Sequence, residues 1–370
     1  MVGCVDCTLR LATFGTDLEE AELAELMRAD MSAEDHAKVL AAADAMTRQL
    51  SGSRGRIWAS IGVDFTPCTR NCKFCSLGEE WGVHPKPYEL STGEVCDVAR
   101  EYVEGGAAWI VLRTTQDFPI PRLVELAREV RRRIPEHVEL VVNTGEYGME
   151  GARQLRDAGY SSVYHVVRLR EGVDTVFHPA DRESTIKAAR QAGLGLTYLV
   201  EPLGPEHTDE EIAREAVRAR QLGAAQVGAM ARVPVRGTPL GGCCQVSTER
   251  LCRTVAVSRL AAGKRAKWVC VHPPTPEALR AGANILVVEA GAVPRDTGSG
   301  QGKWRGFGMA EAVDMLRSAG YEIAELSKPT GTGEPAAVGQ MSPQRQPTER
   351  PASTACCGRS SPKKARGGTT

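Results

Sequence analysis

The sequence predicts an α/β protein, a TIM-type (β/α) barrel that is complete or nearly complete, with N-terminal helices and a C-terminal cap. Two observations predict it. Short apolar runs of strand length alternate with stretches of helical periodicity from residue 56 onward, and several helical stretches end at glycine. Repeated strand–helix units imply parallel strands joined by right-handed crossovers. Seven or eight such units favour a closed barrel over an open sheet.

Helices precede the barrel. Apolar residues at helical spacing, such as Leu23, Leu26 and Leu40, predict helices between Asp17 and Gln49, with a break before a cap at Ser32. Eight strand candidates follow, at Ile57–Phe65, Trp109–Arg113, Val138–Asn143, Ser162–Val167, Leu196–Val200, Gln226–Val233, Trp268–Val271 and Asn284–Val288.

Helical stretches separate most of these strands, at Thr92–Val103, Ile120–Arg133, Met149–Ala158, Glu183–Ala192 and Asp209–Leu222. Gly106, Gly159 and Gly193 stand at three of their ends, where glycine readily takes the left-handed conformation that ends a helix. In barrels of this kind the chemistry lies on the loops that follow the strands. Those loops are therefore where we expect the functional residues.

We divide the chain into a helical leader (1–55), the barrel core (56–246), a C-terminal barrel completion or cap (247–327) and a disordered tail (328–370). The tail is rich in Pro, Gly, Ser, Thr and Gln and has almost no large apolar residues. Such a segment cannot bury enough surface to offset the entropy lost on ordering. The run Gly298–Gly302 predicts a flexible connection.

Charge and hydropathy disfavour three classes of protein: nucleic-acid-binding, membrane-spanning and secreted proteins. Forty-six Lys and Arg balance forty-six Asp and Glu in 370 residues, so the chain lacks the basic surplus usual in nucleic-acid-binding proteins. No apolar run reaches the length of about 18 residues that a membrane span needs. The first residues lack the basic start and apolar stretch of a secretory signal. We therefore expect a cytoplasmic protein with no nucleic-acid or membrane partner.

Cysteines carry the strongest chemical signal. The chain has twelve, and clustered cysteines in the cytoplasm indicate metal or redox chemistry rather than disulfides. Cys68, Cys72 and Cys75 directly follow the first predicted strand, and three thiolates suit iron or zinc. A closed zinc site would need a fourth ligand, for which His84 is the nearest candidate. A four-iron cluster held by three cysteines would instead leave one iron open to another ligand.

The C-x3-C-x2-C spacing, with Phe74 before the last cysteine, resembles the signature of the radical S-adenosylmethionine (SAM) enzymes. The resemblance implies that Cys68, Cys72 and Cys75 bind a [4Fe-4S] cluster, that SAM chelates its open iron, and that Phe74 packs beside the SAM adenine. It also implies that the reduced cluster cleaves SAM to a 5′-deoxyadenosyl radical, which abstracts hydrogen from a small polar substrate. A reductant such as flavodoxin or ferredoxin would supply the electron.

Residues 17–326 resemble the biotin-synthase-like branch of that family. Residues 231–240 end in Gly-Thr-Pro-Leu, like a strand segment of biotin synthase, and residues 281–285 contain its Gly-Ala-Asn. Arg182 falls where the family places an arginine on the SAM carboxylate, for which a guanidinium fork is suited. An exposed arginine ahead of a helix is the alternative interpretation of Arg182.

Within that branch, residues 164–175 and 201–207 most resemble relatives of the maturase of the Hmd-type iron-only hydrogenase cofactor, which favours a role in cofactor biosynthesis. That maturase usually has a wider spacing between its first two cluster cysteines. Biotin synthase itself holds a second cluster with three cysteines and an arginine inside the barrel. The corresponding segments Trp109–Arg113, Val138–Asn143 and Leu196–Tyr198 contain no cysteine. Sulfur insertion by that route is therefore disfavoured.

Polar residues follow several predicted strands. Among them we group four as cofactor-binding candidates for the SAM ribose and methionine or for the substrate: His165, Arg168, Glu171 and Glu201. The alternatives are a solvated Arg170 and a structural ion pair between Glu146 and Arg168.

The remaining cysteines give weaker signals. Cys243, Cys244 and Cys252 are either ligands of an auxiliary cluster or incidental, and Cys4 and Cys7 form an isolated C-x2-C pair. Cys96 and Cys270 fall in helix and strand patterns and are predicted to be core residues. A contrasting hypothesis for the whole protein is a non-enzymatic iron–sulfur or zinc scaffold, which predicts a metal site without SAM binding.

Overall fold

Eight parallel strands close a barrel in the computed structural model, which describes residues 4–292 and 307–323. The strands are β1 (Arg56–Gly62), β4 (Trp109–Arg113), β5 (Glu139–Asn143), β6 (Ser162–Tyr164), β7 (Gly195–Thr197) with β8 (Val200–Leu203), β9 (Gln226–Ala231), β10 (Trp268–His272) and β11 (Ile285–Gly291). Two short antiparallel strands, β2 (Asp64–Phe65) and β3 (Tyr88–Glu89), lie outside the barrel. The predicted barrel is confirmed, and it is complete.

Barrel closure depends on the last strand pairing with the first. β11 pairs with β1 in parallel, from Arg56 opposite Ile285 to Gly62 opposite Gly291. β7 and β8 both pair with β9 and together fill one position of the barrel. Because all the strands are parallel, their carboxyl ends meet at one rim.

Ten α-helices accompany these strands in the described ranges: α1 (Val5–Phe14), α2 (Glu20–Glu25), α3 (Ala33–Ser51), α4 (Thr92–Glu104), α5 (Ile120–Arg131), α6 (Met149–Asp157), α7 (Pro179–Gln191), α8 (Asp209–Gln221), α9 (Thr248–Ala262) and α10 (Met309–Ser318). α4 to α9 connect successive barrel strands, whereas α2 packs against α8 and α3 against α9. No helix in those ranges has both the length and the apolar character of a membrane span.

Local sequence explains where the helices begin and end. Ser32 caps α3 by accepting a hydrogen bond from the Asp35 N–H at 3.0 Å, as predicted. Ser91 and Thr208 form capping boxes at the starts of α4 and α8. Gly106, Gly159 and Gly193 have φ angles of 100°, 105° and 90°, so these predicted helix ends are also confirmed.

The barrel interior is apolar near its middle. Trp58, Trp109, Val111, Leu199 and Cys270 belong to one buried cluster, against which Tyr164 and Met230 pack from the rim side. Cys96 is also buried, in α4. The prediction that Cys96 and Cys270 are core residues is therefore confirmed.

Three predicted boundaries were wrong. The strand predicted to reach Val167 ends at Tyr164, because the Val167 N–H bonds to the Tyr198 hydroxyl instead of to a neighbouring strand. The strand predicted through residues 196–200 is interrupted after Thr197. The helix predicted from Glu183 begins at Pro179, where proline suits the first helical position and His178 caps the Ala180 N–H.

Other expectations concern the ends of the chain. Helix α1 was not predicted, because the N-cap Cys4 and the first residues Val5, Asp6 and Cys7 are not a run of strong helix formers. The predicted flexible connection at 298–302 and the predicted tail at 328–370 lie outside the described residues. The proposed division of the chain into four parts stays a prediction.

Candidate active site

The loop from Cys68 to Cys75 is held in a compact fold by its own backbone. The Cys68 N–H donates to the Leu77 carbonyl at 2.7 Å, and the Glu79 N–H donates to the Cys68 carbonyl at 3.0 Å. Asn71 has a φ of 45°, a left-handed conformation that asparagine tolerates. This fold places all three cysteines on the wall of one cavity. We call residues 68–75 the cysteine loop.

The three thiols are partly exposed and free. In the described part of the chain, their sulfurs are not a set within 4.8 Å of one another. A tetrahedral zinc ion with Zn–S bonds of about 2.3 Å would hold its sulfurs about 4 Å apart. His84, the candidate fourth ligand, packs against Phe65 with ring centroids 5.3 Å apart.

Burial disfavours free thiolates in the cysteine loop. It raises the pKa of the Cys72 thiol to about 12, although the nearby Arg168 guanidinium acts in the opposite direction. Burial also raises the pKa of Cys68. Because the thiolate is the metal-binding form, a bound cation must compensate for this cost. The loop is therefore suited to a positively charged metal core.

A cavity of about 250 Å³ lies between the cysteine loop and the carboxyl ends of the barrel strands. The predicted site residues that line it are Cys68, Cys72, Phe74, Cys75, His165, Arg168, Arg182 and Glu201. Glu171 does not line the cavity. The structure thus brings all the predicted site residues except Glu171 to the lining of one cavity.

Arg182 is enclosed on the cavity wall, with only 2% of its surface exposed. It lies in the first turns of α7, not ahead of the helix as the sequence suggested. Its Nη1 pairs with Glu146, and its guanidinium carbon lies 3.8 Å from the centroid of the Phe177 ring. Burial, reinforced by Arg168, lowers the pKa of Arg182 to about 10, so it is charged at pH 7.

Glu171 lies behind Arg168 and Arg182. Its carboxylate accepts hydrogen bonds from the Arg168 backbone N–H at 2.9 Å, the Thr175 hydroxyl at 2.6 Å and the Arg182 Nε at 3.3 Å. All three donors belong to one segment, residues 168–182. Glu171 therefore supports the residues that line the cavity.

His165 lines the cavity as a buried imidazole. Burial, together with the positive charges of Arg182 and Arg168, lowers its pKa well below the usual value. It is therefore neutral near pH 7, with one ring nitrogen able to donate and the other able to accept a hydrogen bond. Its Nε2 lies 3.8 Å from Glu146 Oε1. Glu146 pairs with Arg182, so the predicted alternative of a Glu146–Arg168 pair was wrong.

Arg168 and Glu201 lie on two neighbouring segments of the cavity rim. Burial disfavours the charge on Arg168, but the carboxylates of Glu171 and Glu201 outweigh it and raise the pKa of Arg168. Glu201 accepts a hydrogen bond from the Tyr164 hydroxyl, and its backbone carbonyl accepts one from the Leu169 N–H at 2.7 Å. Arg170, predicted as solvated, pairs with Asp174 at 3.0 Å.

A smaller chamber of about 30 Å³ lies beneath the cavity and shares Arg113, Asn143, Tyr164 and Met230 with it. Cys270 is the one cysteine that lines this chamber in the described part of the chain. Thr197, in a segment where a second cluster would require a ligand, donates its hydroxyl hydrogen to Gln226 at 2.7 Å. The barrel interior therefore does not offer three cysteines to a second cluster.

A protein-family model for the radical SAM superfamily matches residues 65–217. The matched stretch begins just before the cysteine loop and contains every predicted site residue described above. Over this stretch the chain is similar to the radical SAM superfamily.

Curated proteins that are similar to this chain include biotin synthases. The biotin synthase of Acetivibrio thermocellus is 25% identical over 232 residues, which cover 60% of this chain and 72% of the relative. That of Kocuria rhizophila is 26% identical over 254 residues, covering 66% of this chain and 53% of the relative. The alignments thus span between about half and three quarters of the relatives' own length.

Solved structures share the barrel fold of this chain. Methylornithine synthase (PylB) superposes with a TM-score of 0.71 at 18% identity, covering 86% of this chain and 97% of that chain. The FeFe-hydrogenase maturase HydG from Carboxydothermus hydrogenoformans gives a TM-score of 0.68 at 17% identity, covering 86% and 78%. At these identities the likeness concerns the fold.

Similarity to the radical SAM superfamily implies a [4Fe-4S] cluster and SAM, and the residues at this site fit both groups. Arg182 Nη2 and His165 Nε2 are buried on the cavity wall without hydrogen-bond partners in the described structure. Leaving such a group unsatisfied costs about 1–3 kcal/mol. Their position beside the cysteine loop indicates that a polar ligand completes their hydrogen bonding.

Two pairings at this site were not predicted from the sequence. Arg232 lines the cavity and pairs with Glu206, and Glu146 joins Arg182 to Gln116. Arg232 directly follows β9, so its position after a strand was an available signal, whereas Glu146 was named in the sequence but with Arg168 as its expected partner. Their partners come from other loops, which no local pattern indicates.

The other cysteines in the described residues are dispersed. Cys252 is buried in α9, Cys243 is partly exposed and Cys244 is exposed. An auxiliary cluster at these three residues stays a prediction. Cys4 and Cys7 are exposed at the first turn of α1.

Proposed function

We propose that this protein cleaves SAM reductively and uses the resulting radical on a small polar substrate, in the biosynthesis of a cofactor. When bound, a reduced [4Fe-4S] cluster supplies the electron for cleavage of SAM to methionine and a 5′-deoxyadenosyl radical, which removes a hydrogen atom from the substrate. The observation that carries the proposal is the shared cavity of the cysteine loop and Arg182. The fold likeness to a hydrogenase maturase supports the cofactor-biosynthesis role.

The protein residues would bind, orient and shield the cluster and SAM. Cys68, Cys72 and Cys75 would hold three irons of the cluster, and Phe74 would pack beside the adenine. Arg182 would donate to the SAM carboxylate through Nη2, because its other donors already bond to Glu146 and Glu171. The cluster and SAM supply the difficult chemistry, whereas the barrel supplies their positions.

The remaining polar residues would bind the sugar and the substrate. His165 is neutral and offers a hydrogen bond to a hydroxyl group, such as one on the SAM ribose. Arg168 and Glu201 present opposite charges at the cavity rim, which suits the methionine part of SAM or a substrate with several polar groups. The small chamber below holds at most a water-sized group, so the substrate must bind mainly in the upper cavity.

Two alternatives are disfavoured. Sulfur insertion of the biotin synthase type needs a second cluster, and the barrel interior offers Cys270 alone among the described cysteines. A zinc scaffold needs closely spaced sulfurs and a fourth ligand, and the cysteine loop shows neither arrangement. Neither alternative explains the buried, unsatisfied donor of Arg182.

Anaerobic reconstitution tests the proposal. The protein is loaded with iron and sulfide, reduced with dithionite and assayed for 5′-deoxyadenosine with SAM. We expect deoxyadenosine from the wild type and from Cys7→Ala, whose thiol is exposed in α1, but none from Cys72→Ala. A reconstituted wild type that neither changes its cluster spectrum with SAM nor cleaves SAM would overturn the proposed function.

A further inference from the structure

Helix α1 begins with two exposed thiols that are one turn apart. Cys4 is the N-cap residue and Cys7 lies in the first turn, and both are exposed and free. The Cys7 N–H donates to the Cys4 carbonyl at 2.9 Å, which closes the turn between the two residues. Neither cysteine lines the cavity at the barrel rim, so the proposed SAM cleavage does not use them. We call Cys4 and Cys7 the dithiol pair.

The rest of α1 holds the dithiol pair in place. Thr8, Leu9 and Ala12 are buried on another face of the helix, and α1 packs against α3. Between the two cysteines, the Asp6 carboxylate lies 3.4 Å from Nζ of Lys38 in α3, so the first turn is also tied to the neighbouring helix. The two thiols are therefore presented to solvent by a packed helix.

The two thiols of the dithiol pair differ in reactivity. The backbone N–H and the thiol of Cys7 lower the pKa of Cys4, whereas the thiol of Cys4 raises the pKa of Cys7. The partial positive charge at a helix N-terminus also stabilises a thiolate. Because the thiolate is the nucleophile, Cys4 is suited to attack and Cys7 to follow as the resolving thiol. Thiol–disulfide exchange requires these two roles.

Metal binding is the other use of a C-x2-C pair. A closed tetrahedral zinc site needs four ligands, and the dithiol pair supplies two. In the described ranges, the one group of three or more metal-ligating side chains within reach of one another is Asp174, Glu206 and His207. That group contains neither Cys4 nor Cys7, so the described part of the chain offers them no third ligand. Thiol–disulfide exchange, in contrast, needs only the two cysteines.

We propose that the dithiol pair is a thiol–disulfide exchange site that takes a low-molecular-weight disulfide as its oxidant. The Cys4 thiolate attacks one sulfur of that disulfide, which breaks the S–S bond and releases one thiolate. Cys7 then loses its proton and attacks the Cys4 sulfur, which expels the second thiolate. The two released thiolates take up the two protons lost by Cys4 and Cys7. The products are a Cys4–Cys7 disulfide and two thiol molecules, and a reducing dithiol reverses the reaction.

Oxidised glutathione is the probe, and a tryptic peptide provides the readout. Cleavage after Arg10 releases residues 1–10, which contain Cys4 and Cys7 and no other cysteine. The full-length wild type, Cys4→Ser and Cys7→Ser are treated anaerobically with oxidised glutathione, the remaining thiols are blocked, and the mass of this peptide is measured. In parallel, the rates of iodoacetamide alkylation of Cys4 and Cys7 are compared in folded wild type and in wild type unfolded in urea, which is the control for the helix.

We expect the wild-type peptide to lose two hydrogens and to carry no glutathione. Cys7→Ser should keep glutathione on Cys4, because the resolving thiol is gone, whereas Cys4→Ser should react about tenfold more slowly. In the folded wild type Cys4 should be alkylated about tenfold faster than Cys7, and in urea the two rates should be equal.

Four results would overturn the exchange site: two free thiols in the treated wild type, glutathione on both cysteines, a disulfide that links two chains, or equal adduct formation in the two variants. The wild-type peptide decides between a disulfide and two adducts even when a variant fails to fold. Dithionite-driven SAM cleavage should be equal in the wild type and Cys7→Ser, because the dithiol pair lies outside the cavity. Failure of SAM cleavage in the wild type would overturn the proposed function and leave the exchange site standing.

Discussion

The carboxylate of Glu171 lies 3.3 Å from Nε of Arg182 and, with Glu146 on Nη1, fixes which side of the guanidinium remains available. Both side chains are almost fully buried, at 1% and 3% exposure. A buried charge held by a partner keeps one orientation, because rotation would leave both charges unpaired. The pair therefore determines the direction in which Arg182 Nη2 can bind a ligand.

Arg182→Lys should weaken SAM binding without loss of iron. Lysine keeps the charge but lacks the planar fork that reaches Glu146, Glu171 and a carboxylate together. We expect the dissociation constant for SAM to rise about 10- to 100-fold, that is, about 1.4–2.8 kcal/mol, as measured by equilibrium dialysis on the reconstituted protein. Arg190→Lys, on the exposed face of the same helix, is the control. An unchanged SAM affinity in Arg182→Lys would refute the assignment.

Glu171→Gln should destabilise the fold and loosen SAM binding. The glutamine NH2 group is a donor and would replace an oxygen that now accepts a hydrogen bond. A buried donor would then lack an acceptor, at a cost of about 1–3 kcal/mol. Urea unfolding of the apo-protein measures this loss. Because Glu171 acts through Arg182, the SAM dissociation constant should also rise. Glu183→Gln, whose carboxylate meets Lys187 at 3.6 Å on the surface of α7, should change neither quantity, and equal behaviour of the two variants would contradict the positioning role.

Glu215 gives a pH dependence of stability. Burial raises its pKa from 4.5 to about 7, although Arg218 and the Tyr198 hydroxyl favour the charged form. The folded state thus holds a proton that the unfolded state has lost between pH 4.5 and about 7. The stability that this proton provides is complete below pH 4.5 and is lost as the pH rises through about 7.

The Glu215→Gln variant isolates this effect. Its free energy of unfolding relative to the wild type should rise by about 2–3 kcal/mol between pH 4.5 and pH 7.5, since glutamine does not titrate. Urea unfolding of both apo-proteins across that range measures the difference. If the difference in free energy of unfolding between wild type and variant stays constant with pH, Glu215 has its ordinary pKa and the prediction is wrong.

Cys270→Ser should retain the full iron content. Cys270 lies in the apolar cluster with Trp58 and Leu199, where a hydroxyl without a partner lowers stability by about 1–3 kcal/mol. Reconstituted wild type and variant should both contain about four irons per chain, the content of one [4Fe-4S] cluster. Iron and sulfide assays measure this. About six irons in the wild type and a loss of two in the variant would instead indicate a second cluster.

Much of the fold could be predicted because its signals are local. Each barrel strand is a short apolar run, since parallel strands are buried on both faces, and Gly159 and Gly193 mark helix ends by their own conformational freedom. The cysteine loop was visible for the same reason: its three ligands fall within eight residues. Arg182 and His165 were found through position and resemblance.

The parts that could not be predicted depend on distant residues. Glu146 meets Arg182 across 36 positions and Arg232 meets Glu206 across 26, and no sequence spacing specifies such pairs. The sequence shows that Glu171 is charged but not where its side chain points. For that reason Glu171 was grouped with the ligand-binding residues. The strand ends at Tyr164 because the Val167 N–H bonds to the Tyr198 hydroxyl. The apolar periodicity of residues 162–167 contains no information about that distant hydroxyl.

The pairing of β1 with β11 places a constraint on the order of assembly. The strand that leads into the cysteine loop finds one of its two neighbours only when residues 285–291 have been made, almost at the end of the described chain. Domains whose contacts join distant parts of the sequence form late and slowly. During synthesis the three cysteines therefore leave the ribosome long before the barrel that supports them can close. We expect iron and sulfide to enter a finished barrel from its open rim, so that the opening which admits SAM also serves for loading the metal.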